Sequence, residues 1–72
     1  MEGAWFCYAC NKCGETGWFI MPLNVNFGGP LSPVLTGYCP LGHQTTIRGE
    51  DVGKTWLCED QRTPAWYPLK QN

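Results

Sequence analysis

Charge is scarce in this sequence, and neither sign dominates. Five Lys or Arg residues and six Asp or Glu residues leave a formal net charge of −1 over 72 residues. The basic residues stand singly along the chain, whereas nucleic-acid-binding domains usually carry a basic patch or stripe. The composition therefore disfavours DNA or RNA as the principal partner and leaves nucleic-acid binding as the second hypothesis.

Long apolar runs and an export signal are missing as well. The apolar stretch at residues 18–22 is far too short to cross a bilayer. The first residues show no basic segment followed by an apolar one. We therefore expect a cytoplasmic protein that does not associate with membranes. Thiols in that compartment stay reduced, so the cysteines are expected to ligate a metal in preference to forming disulfides.

No segment repeats its apolar residues with the 3.6-residue period of a helix. Glycine and proline instead separate short runs rich in aromatic and β-branched residues, which is the pattern of strands and turns. The expected strands are residues 5–8, 16–21, 34–38, 44–48 and 55–58, with a loop at 28–33 and a turn at 49–53. The pattern predicts one small β-rich domain over residues 1–60 with a short antiparallel sheet, followed by an extended tail at residues 61–72 that contains proline and aromatic residues.

Two turns in this chain carry the spacing of metal ligands. Residues 10–14 read Cys-Asn-Lys-Cys-Gly, and two residues between the cysteines let both thiolates point to one side of a tight turn. Residues 39–43 read Cys-Pro-Leu-Gly-His, where the proline fixes one φ and the glycine permits the bend that aims the histidine back toward the cysteine. The predicted ligands are Cys10, Cys13, Cys39 and His43.

Four sulfur and nitrogen ligands suit a single structural Zn²⁺ ion; a site of four cysteines could hold iron, and the histidine favours zinc. A chain this short buries only about 60% of its unfolded surface, so small folds usually need a metal or disulfides in addition to a core. A structural zinc ion can supply about 10–16 kcal/mol of apparent free energy. We therefore expect a metal-stabilised fold that unfolds when the metal is removed.

Two further cysteines leave alternatives open. Cys7 has the same two-residue spacing from Cys10, so these two could be the first ligand pair, although the glycine after Cys13 favours the later pair. Cys58 could replace His43 as the fourth ligand, or it could be a small buried apolar residue. Cys7 and Cys58 could also be neighbours on adjacent strands and form a disulfide on oxidation.

The two turns, with an aromatic strand that ends in Met21-Pro22 between them, resemble those of zinc-ribbon proteins. More narrowly, they are similar to small zinc-ribbon proteins encoded by bacteriophages and prophages, and the resemblance covers about residues 5–47. It implies a zinc-stabilised β-ribbon and brings no settled activity. The ligands that it implies are Cys10, Cys13, Cys39 and His43.

The chain departs from that group at three points. Leu41 stands where asparagine is frequent, Cys7 is an additional cysteine, and a segment rich in Gly, Trp and Pro from Gly49 onward replaces the long charged helix of many members. A partner that is bound through such a helix cannot be carried over to this chain.

Four Trp, three Tyr and three Phe residues are more than so small a core can bury. Exposed aromatic residues are enriched at protein interfaces. We therefore predict a non-catalytic module that binds a host or viral protein, as an adaptor or as an inhibitor of a host enzyme. The candidate surface is Phe27, Trp66 and Tyr67, although the tail aromatics could instead pack back on the sheet.

The second hypothesis is a nucleic-acid-binding zinc ribbon in which aromatic side chains stack on bases. The residues of that platform would be Trp5, Phe6, Trp18 and Phe19, near Lys12 and Arg48. Catalysis is not expected, because four protein ligands leave no open position on the metal. The only histidine of the chain, His43, is one of those ligands.

Overall fold

The computed structural model describes residues 3–22 and 34–68. Five strands in this part of the chain form one antiparallel sheet. Its strands are β1 (Gly3–Ala9), β2 (Thr16–Pro22), β3 (Leu35–Tyr38), β4 (Gln44–Ile47) and β5 (Trp56–Leu57), and a 3₁₀ helix (Gly49–Lys54) links β4 to β5. The strand order is β4-β3-β2-β1-β5. The expected small β-rich fold with an antiparallel sheet is confirmed. In this part of the chain no helix has the length and apolar character needed to cross a membrane.

The predicted strands are present in the predicted order, and they differ at their ends. β1 and β2 are longer than expected because they pair residue for residue along their whole length. β5 is shorter because only two of its residues pair with β1. The turn expected at 49–53 is the 3₁₀ helix. The loop predicted at 28–33 lies outside the described residues.

Each face of the sheet carries its own cluster of buried side chains. Successive residues of a strand point to opposite faces, and β1 and β2 are apolar at most positions, so both faces receive apolar groups. One cluster consists of Tyr8, Cys10, Phe19, Cys39 and Ile47. The other consists of Trp5, Cys7 and Cys58, with Trp18, Ile20 and Tyr67 packed against it. The domain therefore has two thin apolar layers, one on each side of the sheet.

The ring of Tyr8 accounts for two glycines in neighbouring strands. Gly17 of β2 lies opposite Tyr8 in the β1–β2 register, and Gly37 lies in β3. A Cβ atom at Gly37 would lie 2.5 Å from Cε1 of Tyr8, and a Cβ atom at Gly17 would also overlap the ring. The buried tyrosine ring therefore lies across β2 and β3, where only residues without a side chain permit so close an approach.

The segment after β5 packs on the Trp5 side of the sheet. The ring of Tyr67 meets Trp5 edge to face at 4.8 Å between centroids, and the ring of Trp66 meets Trp18 at 6.3 Å. Gln61 adds polar contacts, because its Oε1 accepts from the N–H of Trp5 at 2.7 Å and its Nε2 donates to the carbonyl of Trp5 at 3.0 Å. Each aromatic pair of this kind contributes about 0.5–1.5 kcal/mol beyond its buried area, so the segment is held against the sheet.

Gly37→Ala is expected to destabilise the domain by about 1–3 kcal/mol, because the added methyl group and the Tyr8 ring would occupy the same space. Urea denaturation followed by tryptophan fluorescence measures the change. Gly53→Ala is the matched control, since a Cβ atom there has no neighbour within 4 Å. Equal losses of stability in the two alanine variants would contradict the position assigned to the Tyr8 ring.

Candidate metal centre

The first ligand turn connects β1 to β2. The N–H of Gly14 donates to the carbonyl of Cys10 at 2.8 Å, and the N–H of Cys10 donates to the carbonyl of Glu15 at 2.9 Å. Gly14 has a φ of 80°, a left-handed value that residues with a side chain adopt at a cost. This tight turn presents the thiols of Cys10 and Cys13 to a common site.

The second ligand turn connects β3 to β4. The N–H of Gly42 donates to the carbonyl of Cys39 at 2.9 Å, and the N–H of Cys39 donates to the carbonyl of His43 at 3.2 Å. Gly42 also adopts a left-handed conformation, with φ of 89°. The backbone N–H of His43 points at the Cys39 sulfur at 3.3 Å, as expected for a turn that supports a thiolate.

Pairing of β2 with β3 places the two turns at the same end of the sheet. The three Sγ atoms and one histidine nitrogen of the predicted ligands lie within 4.8 Å of one another. Nδ1 of His43 is 3.3 Å from Sγ of Cys39 and 3.9 Å from Sγ of Cys10. The sulfur atoms of Cys13 and Cys39 are 3.7 Å apart. The four predicted ligands therefore form one cluster that can hold a metal ion.

Two of the three thiols in this cluster are almost fully buried, with Cys10 2% and Cys39 1% exposed. A hydrogen bond from the backbone N–H of Lys12 is the main cause that lowers the pKa of Cys10. Burial acts to raise the pKa of Cys39, but backbone N–H groups of His43 and Leu41 outweigh it and the pKa is lowered. Backbone donors at these two positions thus favour the thiolate form that binds metals.

The third thiol, Cys13, has the opposite shift. The backbone N–H of Glu15 favours its thiolate, but desolvation and the neighbouring Cys10 and Cys39 outweigh that donor and raise the pKa of Cys13 to about 11. Three negative sulfur atoms in one site repel one another unless a cation compensates their charge. The cluster therefore has the electrostatics of a cation site.

Cys7 and Cys58 lie on the other face of the sheet, where they form a disulfide with a Cα–Cα distance of 5.4 Å. This confirms the alternative in which Cys7 and Cys58 are neighbours and form a disulfide, and it corrects, for these two residues, the expectation that metal ligation is preferred to disulfides. Neither thiol is therefore available as an alternative ligand. The β1–β5 register is the reason: it pairs Cys7 with Trp56, so Cys58, two residues further on and opposite Trp5, is a diagonal neighbour of Cys7 on the same face. The three cysteines that remain free are those of the cluster.

Three residues are predicted to contact a partner protein: Phe27, Trp66 and Tyr67. Phe27 lies outside the described residues. Trp66 and Tyr67 are partly buried and pack against aromatic rings of the sheet. A turn, closed by a hydrogen bond from the N–H of Tyr67 to the carbonyl of Pro64 at 3.1 Å, interrupts the tail that was expected to be extended. The two tail aromatics therefore form part of the fold.

The stacking platform expected for nucleic acid is not formed by the residues assigned to it. Trp5 and Phe19 are 6% and 0% exposed, and they belong to clusters on opposite faces of the sheet. Strand alternation is the reason, because adjacent residues such as Trp18 and Phe19 cannot share a face. Bases cannot stack on this set together.

Four large apolar residues of the described part of the chain are exposed and were not predicted as surface candidates: Val34, Leu41, Trp56 and Leu57. The last two are neighbours. Trp56 is 48% exposed and Leu57 is 58% exposed, and together they form β5 at one edge of the sheet. The signal was present in the predicted strand at 55–58, because consecutive residues of a strand point to opposite faces and a short chain cannot cover both. The edge position, which depends on strand order, was not visible in the sequence.

Comparison of the chain with models of protein families, with curated proteins and with solved structures returns no match. Fold and cluster together define a small β-rich domain with a candidate metal centre at the end of its sheet. The similarity of its two turns to those of zinc ribbons stays a prediction.

Cys39→Ser and His43→Ala are each expected to lower the bound metal well below the one ion per chain of the wild type, because each removes a ligand from the cluster. Titration with Co²⁺, whose absorption reports tetrahedral thiolate ligation, measures the stoichiometry. The double variant Cys7→Ser with Cys58→Ser is the control and should bind as the wild type does. Full stoichiometry in both ligand variants would refute the assignment.

Metal binding is expected to release protons and to tighten as the pH rises from about 6 to about 8. With a pKa of about 11, Cys13 of the metal-free chain keeps its proton at neutral pH, so an incoming metal must displace it. As the pH rises toward that pKa, protons compete less with the metal for the Cys13 thiol, so the metal affinity increases with pH. Calorimetric titrations in two buffers with different ionisation enthalpies count the protons, and no release at about pH 7 would contradict the shift.

Proposed function

We propose that this chain is a small zinc-binding module of the zinc-ribbon type that contacts another protein and has no catalytic activity. Its zinc ion is structural. The observation that carries the proposal is the closed set of three thiols and one imidazole at the end of the sheet, on a domain whose β5 edge exposes two large apolar residues.

The donor set and its spacing favour zinc. Three cysteines and one histidine form one of the standard ligand sets of structural Zn²⁺, with Zn–S bonds of about 2.3 Å. A tetrahedron with bonds of that length has edges of about 3.8 Å. The 3.7 Å between the Cys13 and Cys39 sulfurs matches such an edge. A sulfur–nitrogen edge is shorter because the Zn–N bond is shorter, and the distances from His43 Nδ1, 3.3 Å to Cys39 Sγ and 3.9 Å to Cys10 Sγ, lie on either side of it.

A structural role follows from the number of ligands. Catalytic zinc keeps one position for water or substrate, whereas four protein ligands fill a tetrahedral sphere. Zinc held this way supplies free energy of folding, about 10–16 kcal/mol in zinc-finger peptides. Here it offsets two of the three negative charges of the clustered thiolates and joins the β1–β2 turn to the β3–β4 turn. We expect chelation to open that end of the sheet and to unfold the domain.

Contact with another protein is favoured by the exposed apolar side chains of β5. Trp56 and Leu57 are about half exposed, and tryptophan in particular is enriched at the energetic centres of protein interfaces. The basic residues Lys12 and Arg48 stand apart in the chain, without the basic stripe of a nucleic-acid binder. The resemblance to phage zinc ribbons suggests a host or viral protein as partner, bound by an adaptor or inhibitor.

Photo-crosslinking tests the proposal. A photoreactive phenylalanine analogue placed at residue 57 of the zinc-loaded chain is expected to give a discrete protein adduct in bacterial cells. The same analogue at Thr46, an exposed residue of the β4 edge, is the matched control. Nuclease treatment should leave the adduct intact, and chelation should abolish it because the domain unfolds.

Three results would sink the proposal. The absence of any adduct from position 57, or equal adducts from positions 57 and 46, would show that the β5 surface is not the contact site for a partner protein. Adducts that disappear after nuclease treatment would indicate that the chain binds nucleic acid and not a protein. An adduct that survives complete removal of zinc would show that the metal does not support the binding fold.

A further inference from the structure

The two edges of the sheet differ in chemistry. At the β4 edge the exposed side chains, Gln44 and Thr46, are polar. At the β5 edge the exposed side chains are Trp56 and Leu57, at 48% and 58% exposure. Edge strands of monomeric proteins are usually protected by charged residues, proline or a covering segment, because an exposed apolar edge invites pairing with another strand.

Trp56 and Leu57 are consecutive in a strand, so their side chains point to opposite faces of the sheet. A partner that docks on one face would cover only one of them. A strand that continues the sheet beyond β5 brings its own side chains to both faces and covers both. The pattern therefore indicates strand addition at this edge.

The backbone of Leu57 is oriented for such addition. The N–H of Cys58 donates to the carbonyl of Trp5 at 3.0 Å, and the register pairs Phe6 with Leu57 and Cys7 with Trp56. Because hydrogen-bonded and non-hydrogen-bonded pairs alternate in an antiparallel ladder, Leu57 belongs to a non-hydrogen-bonded pair. Its N–H and C=O therefore point away from β1, and no strand of residues 3–22 and 34–68 lies on that side.

We propose that β5 pairs with β5 of a second copy of this chain, antiparallel, about a two-fold axis at Leu57. This rests on the proposed role of the β5 edge in protein contact, and it names a second copy of the chain, in place of a host or viral protein, as what that edge binds. The two Leu57 residues then exchange both of their backbone hydrogen bonds, and the two five-stranded sheets become one sheet of ten strands. Such an interface is isologous, since the same edge serves both subunits.

Charge along the edge fits this arrangement and not a parallel one. Lys54 precedes β5, and Glu59 and Asp60 follow it. Antiparallel pairing about Leu57 places Lys54 of each strand opposite Asp60 of the other, so both ends bring opposite charges together. Asp60 also lies 3.2 Å from Arg62 of its own chain, but both side chains of that pair are exposed, so the pair is weak and leaves the Asp60 carboxylate available to Lys54.

The small buried area of this interface predicts a weak dimer. Each strand contributes two paired residues, so the interface falls below the ~1,200 Å² of stable complexes. Dissociation constants in the range of about 10 μM to 1 mM are expected for contacts of this kind. The dimer therefore exchanges readily and is measured at high protein concentration.

Sedimentation equilibrium of the zinc-loaded chain from about 10 μM to about 1 mM tests the dimer. The average mass of the wild type is expected to rise from one chain toward two. Leu57→Lys places two like charges at the two-fold axis and should remain a monomer throughout. Thr46→Lys, which adds the same charge to the β4 edge, is the matched control and should dimerise as the wild type does.

A charge exchange adds a second, independent readout. Lys54→Glu and Asp60→Lys are each expected to weaken self-association about tenfold, because like charges then meet at both ends of the paired strands. An equimolar mixture of the two variants should recover wild-type affinity as a heterodimer. Both substitutions are at exposed positions, and the zinc content of each variant confirms that it is folded.

A wild type that stays monomeric over the whole range overturns the dimer, as does a Leu57→Lys variant that associates like the wild type. Failure of the mixture to recover affinity overturns the antiparallel arrangement. These outcomes are separate from the proposed function: a crosslink from position 57 to a different protein, in a chain that is monomeric, would support contact with that partner and exclude the dimer.

Discussion

Three sulfur atoms and one imidazole nitrogen within 4.8 Å of one another are the constraint on which this domain depends. In the absence of a cation, desolvation and the neighbouring Cys10 and Cys39 outweigh the backbone N–H of Glu15 and raise the pKa of Cys13 to about 11, whereas backbone N–H groups lower the pKa values of Cys10 and Cys39. A cation offsets the charge of the thiolates and joins two hairpin turns that share no covalent connection at that end of the sheet. Strand pairing and the Tyr8 layer both lie directly beside this junction.

The opposite face of the sheet has its own cross-link. The disulfide between Cys7 and Cys58 ties the last strand to β1, and the packing of Tyr67 on Trp5 closes the cluster around it. The sheet backbone separates this disulfide from the free thiols of the metal cluster. A chain too short to bury one large core thus has a disulfide on one face of its sheet and, on the other, a cluster that can hold a metal ion.

The metal ligands could be predicted because each turn is local. In the first turn, two residues between cysteines and a glycine at the end are enough to specify the bend at Gly14. In the second turn, the proline and the glycine between Cys39 and His43 specify the bend at Gly42. The positions of the strands could also be predicted, because a run of aromatic and β-branched residues is a pattern of neighbouring residues. The packing of Tyr8 over Gly17 and Gly37 could not be predicted, because it depends on three strands lying in a particular order.

By itself the sequence determined which residues can bind a metal and roughly where the strands lie, since spacing and alternation are properties of neighbouring residues. Only the tertiary structure decided that Cys7 joins Cys58, that Trp66 packs back on the sheet, and that Leu57 stays exposed. All three follow from the placement of β5 beside β1, at the end of the order β4-β3-β2-β1-β5. That placement is a pairing between residues about fifty positions apart, and it is set by contacts that no local pattern encodes.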